Sequence, residues 1–369
     1  MTSMSSSSSA SETPRQEPGR TRPRPQPLPV NQVEHFYPGG ERIAALRGQG
    51  APGGPYRPEE WIGSMTTMTS QAERGLSRLA DGVLLRDAIA ADPEGWLGRD
   101  HTARFGASTE LLVKLLDAGG RLPVHLHPDR AFSRRHLGLP HGKTEAWIVL
   151  EAAPGARVRL GFAEPVDLPR VRSLVDAKDS AAVLGLMRPL DVRPGDAVLV
   201  PAGVPHSIDA GLFVLELQEP TDLSILLEAD TINADLHRDG HLGLGFDVAL
   251  QALRLDPLSE DELGALVVPR PRLDASGVAD LLPVAASPYF RAHRLRAAPT
   301  GPDIDPGFAV LLVVAGEGRL VPDTGEQVPL RRGDAVVVPH ACGRWRLESG
   351  DAGAALDAFL CRPPEPVEG

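Results

Sequence analysis

The chain has 369 residues, 42% of them hydrophobic and 24% charged, with a formal net charge of -11. That length exceeds one ordinary core and predicts about two domains. No apolar run is long enough for a transmembrane helix. The negative balance, with no basic stripe beyond the N-terminal tail, argues against nucleic acid and membrane as partners.

Two cysteines, Cys342 and Cys361, form no CxxC pair. This sets aside a cysteine zinc site and a disulfide scaffold, and predicts a reducing, cytoplasmic setting. Arginine is abundant, yet lysine occurs only at Lys114, Lys143 and Lys178. Two of the three fall beside the motifs described below, where a compact ammonium is not interchangeable with a guanidinium.

Residues 1 to about 30 are rich in Ser, Pro and Arg and are expected to be a disordered tail. They lack the apolar stretch a signal peptide needs. Tyr37-Pro38-Gly39-Gly40 reads as a turn. From Gly75 to Gly98, Leu76, Leu79, Leu84, Leu85 and Ile89 fall near helical spacing and predict a helix. Leu111 to Leu116 is an apolar run interrupted by Lys114. Short β-branched runs separated by Gly and Pro follow: Leu122 to His127, Glu145 to Glu151, Arg157 to Phe162, Asp196 to Pro201 and Leu212 to Leu217. That spacing predicts a sandwich or barrel. Residues 221–268 read as helical, with Phe246, Val248, Leu250 and Leu253 as partial core. Residues 280–362 return to short strands.

An internal repeat organises these elements. Arg193-Pro194-Gly195-Asp196-Ala197-Val198-Leu199-Val200-Pro201 is echoed by Arg331-Arg332-Gly333-Asp334-Ala335-Val336-Val337-Val338-Pro339. Gly-Asp makes a tight turn into a buried strand that Pro closes. Its recurrence predicts two copies of one β-sandwich, over residues 31–265 and 266–369. Five residues beyond Pro201 stands His206, whereas five beyond Pro339 stands Arg344. The first copy is therefore expected to hold a metal and the second not.

His125 and His127 flank Leu126 on a predicted strand. Alternate strand residues share a face about 6.6 Å apart, so both imidazoles can reach one ion at bonds of about 2.0 Å. Glu145 opens the next strand, with Trp147 on the same face as a candidate pocket wall. His206 arrives after the Gly-Asp turn and a Pro-bounded loop. Three imidazoles and a carboxylate suit zinc, and also iron, manganese or cobalt.

The stretches Leu111–Asp117, Val124–Asp129, Gly142–Trp147, Val200–His206 and Leu215–Gln218 together resemble the type I mannose-6-phosphate isomerases, which are zinc cupins. The resemblance is strong over residues 35–220 and continues through a second, metal-free cupin. It implies a mainly β chain of two cupin-type jelly-roll domains with flanking helical segments, and an aldose–ketose exchange through an enediol. It also implies Lys143 and Glu216 beside the reacting carbons and Lys114 beneath the ligand strand. Three departures stand out. His125 replaces a family Gln ligand, Pro123 replaces a Ser near the substrate phosphate, and Leu226 occupies the place of a family Arg. Arg134, Arg135 or His141, from the loop between the ligands, are candidates to supply the missing charge to a sugar or sugar phosphate. Two alternatives stay open: a metal cupin that binds a sugar-like ligand without isomerising it, and another cupin chemistry such as epimerisation or oxygenation.

Overall fold

The computed structural model describes residues 22–51, 53–68, 72–229, 235–350 and 354–365. Its first strands are β1 (Gln26–Pro27), β2 (Gln32–Val33), β3 (Glu59–Ile62), β4 (Leu112–Asp117), β5 (His125–Leu126) and β6 (Glu145–Ala152). There follow β7 (Arg157–Phe162), β8 (Met187–Asp191), β9 (Ala197–Val200), β10 (His206–Ile208), β11 (Leu212–Gln218), β12 (Ile225–Leu226) and β13 (Val267–Val268). The C-terminal part holds β14 (Val278–Asp280), β15 (Arg291–Ala297), β16 (Ala309–Ala315) and β17 (Glu317–Pro322). It ends with β18 (Val328–Arg331), β19 (Ala335–Val338), β20 (Trp345–Ser349) and β21 (Leu356–Arg362).

These strands pair antiparallel in four sheets. A sheet of order β13-β9-β6-β11-β4-β3-β2 packs on one of order β12-β5-β10-β7-β8. In the C-terminal part, a sheet of order β1-β19-β16-β21-β15-β14 packs on one of order β18-β17-β20. The fold is thus mainly β, built of antiparallel sheets packed in pairs. Among the described residues no helix is long and apolar enough to cross a membrane.

The sequence repeat occupies the same place in both parts. β9 pairs β6 with Val200 opposite Glu145, and β19 pairs β16 with Val338 opposite Ala309. Gly195 N–H donates to Val149 O at 2.8 Å, and Gly333 N–H donates to Val313 O at 2.8 Å. Both glycines take positive φ, 95° and 93°, which a side chain would resist. Asp196 and Asp334 each accept from the backbone N–H three residues earlier, at 2.8 and 2.9 Å.

Helices cover the outer face of the five-stranded sheet. Val171, Val175 and Val183 of helices Leu168–Ala177 and Ser180–Gly185 pack with Phe246 and Leu250 on Val124, Leu126 and Ile225. Leu126 therefore points outward beneath these helices, while the histidines on either side of it point inward, as strand alternation requires.

Several expectations are corrected. The tail ends before residue 30: residues 1–21 lie outside the described residues, but Gln26–Pro27 already pairs with Val337 and Val336. The stretch from Gly75 to Gly98 is not one helix. Residues 75–84 form a turn in which Asp81 Oδ1 accepts from Val83 N–H, and the helices are Leu85–Ala91 and Pro93–Leu97. A Gly at φ 87° breaks the leucine periodicity at Gly82. The stretch 221–268 contains β12 and β13 besides short helices. Phe246, Leu250 and Leu253 are buried there, but Val248 is only half-buried. The run from Leu122 to His127 is a strand only at His125–Leu126, because Pro123 interrupts the ladder.

Candidate metal centre and its cavity

Adjacent strands bring the histidines together. His125 on β5 lies directly opposite His206 on β10. Their Nε2 atoms are 3.1 Å apart. His127 follows β5 and is anchored from the other side, its carbonyl accepting from Gly203 N–H at 2.7 Å. That contact ties the ligand strand to the loop that delivers His206.

The segment between His127 and Glu145 folds back through helix Arg130–Leu137, capped by Asp129, whose Oδ1 accepts from Phe132 N–H at 2.7 Å. The return is tight. Lys143 N–H donates to Pro128 O at 3.0 Å, and a Cβ at Gly142 would lie 2.6 Å from that oxygen. Only glycine fits there, and Lys143-Thr144-Glu145 is thereby set against the histidines. Thr144 N–H donates to Glu219 Oε2 at 2.9 Å, which fixes the start of β6.

Four observations fit the donor set to a metal site. The three histidines form a group whose candidate ligand atoms lie within 4.8 Å of one another. Each Nδ1 lies against a backbone carbonyl: His125 on Pro123 O at 2.8 Å, His127 on Leu223 O at 2.6 Å, His206 on Val204 O at 2.9 Å. Those carbonyls hold the proton on Nδ1 and leave each Nε2 lone pair facing inward, the arrangement of metal-binding imidazoles. Glu145 contributes Oε2 at 3.0 Å from His127 Nε2 and Oε1 at 3.3 Å from His206 Nε2. Glu145 Oε2 is buried and makes no hydrogen bond. Lys143 Nζ stands at one side of this group, and the remaining facing lone pairs are costly unless a further cation joins them. The residues therefore fit a divalent ion with an N3O donor set.

Electrostatics agree. Burial, followed by the other two histidines, drives the pKa of His125 well below the imidazole range. Burial and then Lys143 lower that of His127 to about 3. Both rings are neutral, as ligands must be. Burial alone would raise Glu145, but Lys143 outweighs it and holds the carboxylate ionised. Lys143 Nζ sits 3.0 Å from His127 Nε2 and 3.2 Å from Glu145 Oε2.

A narrow cavity opens from this cluster, lined by Lys114, His125, Lys143, Glu145, Trp147, Glu216 and Leu226 among others. Glu216 on β11 is cross-strand to both Trp147 and Lys114. Burial, reinforced by Glu145 and opposed by Lys114, pushes the pKa of Glu216 up to about 8. Lys114 Nζ lies 3.4 Å from Glu59 Oε2 and 4.0 Å from Glu216 Oε1. Glu59 is the ionised member of that group: burial would raise its pKa, but Lys114 holds it below the carboxylate range. Trp147 walls the cavity with its ring centroid 5.5 Å from that of His206.

Arg134 is a correction. It is exposed and does not line the cavity. Its helix buries Ser133 instead, and the helical turn carries the next residue to the solvent side. Arg135 is exposed as well, and His141 is taken by Glu110, with Nε2 to Oε2 at 2.9 Å. Glu59 was missed in the sequence. It accepts from Tyr37 Oη at 2.5 Å and Trp61 Nε1 at 2.8 Å and faces the cavity with His35. The adjacent pair Glu59-Glu60 reads locally as solvated surface, and nothing in its own segment signals burial.

No protein-family model matches the chain. The mannose-6-phosphate isomerase of Streptococcus mutans is 28% identical over 265 residues, covering 68% of this chain and 75% of that protein. The solved mannose 6-phosphate isomerase of Bacillus subtilis superposes with a TM-score of 0.69 at 19% identity, over 92% of this chain and 100% of that one. A variant of the phosphomannose isomerase of Salmonella typhimurium gives 0.70 at 17% identity, over 93% of this chain and 100% of that one. The chain is thus similar in sequence to mannose-6-phosphate isomerases and shares the fold of the solved ones.

Proposed function

We propose that the chain is a metal-dependent aldose–ketose isomerase, acting on mannose 6-phosphate and fructose 6-phosphate or on a related sugar. One observation carries this reading: a buried carboxylate of raised pKa, Glu216, and an ammonium, Lys143, line the same cavity as the histidines and Glu145. His125, His127, Glu145 and His206 would hold one divalent ion, zinc by preference for this donor set. The ion when bound supplies Lewis-acid stabilisation of charge developing on the substrate oxygens.

The chain's own groups do the rest. Glu216 moves a proton between adjacent carbons, a task for which a pKa near neutrality is suited. Lys143 donates a hydrogen bond to a carbonyl or hydroxyl oxygen of the substrate. Lys114, tied to Glu59, positions the Glu216 carboxylate, and Trp147 excludes water from one wall. The architecture that suits this reading is two cupin-type jelly-rolls, over residues 31–265 and 266–369, with only the first equipped for metal. Two buried free cysteines, Cys342 and Cys361, suit a reducing cytoplasm.

The test is incubation of metal-loaded protein with mannose 6-phosphate and with free hexoses in deuterated water. Exchange of carbon-bound hydrogen supports an isomerase even without net product. Saturable binding with no exchange on any sugar favours the second reading, a metal protein that binds a sugar without isomerising it. Leu226 favours that second reading, since it puts an aliphatic wall on the cavity where the resemblance implies an Arg.

A further inference from the structure

We infer that Glu219 is a positioning residue for the metal centre: with the short loop it opens, residues 219–223, it fixes the segments that carry His127 and Glu145 against each other. This rests on the reading above that His125, His127, Glu145 and His206 hold one divalent ion. It adds to them a residue that acts on two of the ligands through the backbone.

β11 ends at Gln218, directly opposite Glu145, so the chain leaves the sheet beside a ligand. The next residue, Glu219, is buried. Its backbone N–H donates to Thr144 O at 3.1 Å, and its Oε2 accepts from Thr144 N–H at 2.9 Å. Thr144, which stands between Lys143 and Glu145, is thereby held by both of its backbone polar groups. Two residues further along the loop, Thr221 Oγ1 donates to Gly142 O at 2.7 Å. Two more along, Leu223 O accepts from His127 Nδ1 at 2.6 Å. The second carboxylate oxygen of Glu219, Oε1, accepts from Arg130 Nε, three residues past His127. Arg130 is itself kept in place by the ring of Tyr289, whose centroid lies 4.8 Å from the guanidinium carbon. One buried carboxylate thus joins the strand that bears Glu145 to the helix that follows His127.

The chemistry of the side chain makes the join specific. A carboxylate has two accepting oxygens, and here each meets an N–H donor. An amide has one accepting oxygen, so it can serve Arg130 or Thr144, while its NH2 is set against the other donor. The loop that presents Glu219 is firm: Gln218 Nε2 donates to Glu219 O and Thr221 O, and Thr221 N–H donates to Glu219 O at 2.7 Å. His125 and His206 do not depend on this loop for their register, because their strands pair directly. Loss of the join should therefore shift His127 and Glu145 relative to that pair. Bonds of about 2.0 Å to a single ion leave little room for such a shift.

The experiment titrates cobalt(II) into metal-free full-length protein and reads both its affinity and its visible absorption bands, which report coordination geometry. Glu219→Gln should weaken binding by about 10–100-fold, the range for partners behind the ligands, and should move the bands. Thr221→Val, which removes only the bond to Gly142 O, should do the same in smaller measure. Asp117→Asn is the comparison, because Asp117 is also a buried carboxylate and accepts from two backbone N–H groups, Gly40 and Arg42, at 2.9 Å each. It should lower the melting temperature and leave affinity and bands where they are. Unchanged affinity and bands in Glu219→Gln overturn the inference. So does an equal change in Asp117→Asn, which would reduce the role of Glu219 to general stability. If Glu219→Gln does not fold, Thr221→Val decides by the same two readings. Unmodified protein that takes up no cobalt removes the metal reading itself and this inference with it, an outcome distinct from failure of the variants alone.

Discussion

The two β-rich parts of the molecule share a turn, a strand and a sheet order, yet one gathers ligands and the other gathers hydrocarbon. Register makes the comparison residue by residue. Glu145 sits opposite Val200, and its counterpart opposite Val338 is Ala309. Glu216 pairs with Trp147 across β11 and β6, and the matching pair across β21 and β16 is Leu360 with Leu311. Arg344, five residues past the repeat, lies at the surface with Nε 3.1 Å from Asp305 Oδ1, and the next residue, Trp345, fills the interior with Leu320 and Leu347. Among the described residues the C-terminal part has no counterpart of β5, the strand that carries His125. The scaffold is thus indifferent to function. What separates the two parts is which residues point between the sheets, and whether an extra strand closes the site.

The sharpest way to break this contrast is at the ligands. His206→Ala and Glu145→Gln should each lower metal affinity by more than about 100-fold, since they remove direct donors rather than the outer partners that alone cost 10–100-fold. Metal analysis after dialysis checks this, and Arg344→Ala should leave metal content unchanged. Full metal retention in both ligand variants would mean that the four side chains do not share an ion.

Next in size, Glu216→Gln should lower kcat by about 10²–10⁴-fold, the range for loss of a positioned acid–base group, while metal stays bound. Stopped assays together with metal analysis separate the two effects. An active variant would move the proton-transfer role elsewhere.

The metal-free protein should show a pH signature set by His127 and Glu216. His127 has a folded pKa of about 3, against 6.5 when unfolded. Between those values the unfolded chain binds more protons, so this contribution is present above about pH 6.5 and lost as pH falls toward 3. The size is on the order of a few kcal/mol. Glu216 works in the opposite sense, its burial cost growing as pH rises from about 4.5 to about 8. Denaturant melts across pH should therefore show an acid limb, which a bound divalent ion makes steeper because protons compete with it for the imidazoles, and an alkaline limb that Glu216→Gln removes.

The smallest effect tests the shared turn. Asp196→Ala and Asp334→Ala each remove one charge-assisted bond to a backbone N–H and should cost about 1 kcal/mol in denaturant melts. Only Asp196→Ala should also weaken metal binding, because only β9 supports a strand that bears a ligand. Equal loss of metal in both variants would imply that the two parts are energetically one unit.

How much was legible in the sequence follows local signals. The repeated Gly-Asp nonamer announced two copies of one β unit, because a positive-φ glycine, a capping aspartate and an apolar strand leave their mark in consecutive residues. His-Leu-His, Glu145 and the His206 loop were legible for the same reason: strand alternation fixes which side chains share a face. Glu59, the exposed Arg134 and the broken helix at Gly82 were not legible locally. A glutamate beside another glutamate looks solvated until Tyr37, Trp61 and Lys114 close over it from other segments. An arginine in a ligand loop looks available until its helix turns it outward. The sequence by itself determined the repeat and which side chains of the first copy share a face as candidate ligands. Only the tertiary structure decided the charge balance of the cavity and the burial of Glu59 and Glu216. Those are sums over strands distant in the chain, and burial, which sets the pKa of an acid, belongs to the packed molecule and not to any segment of it.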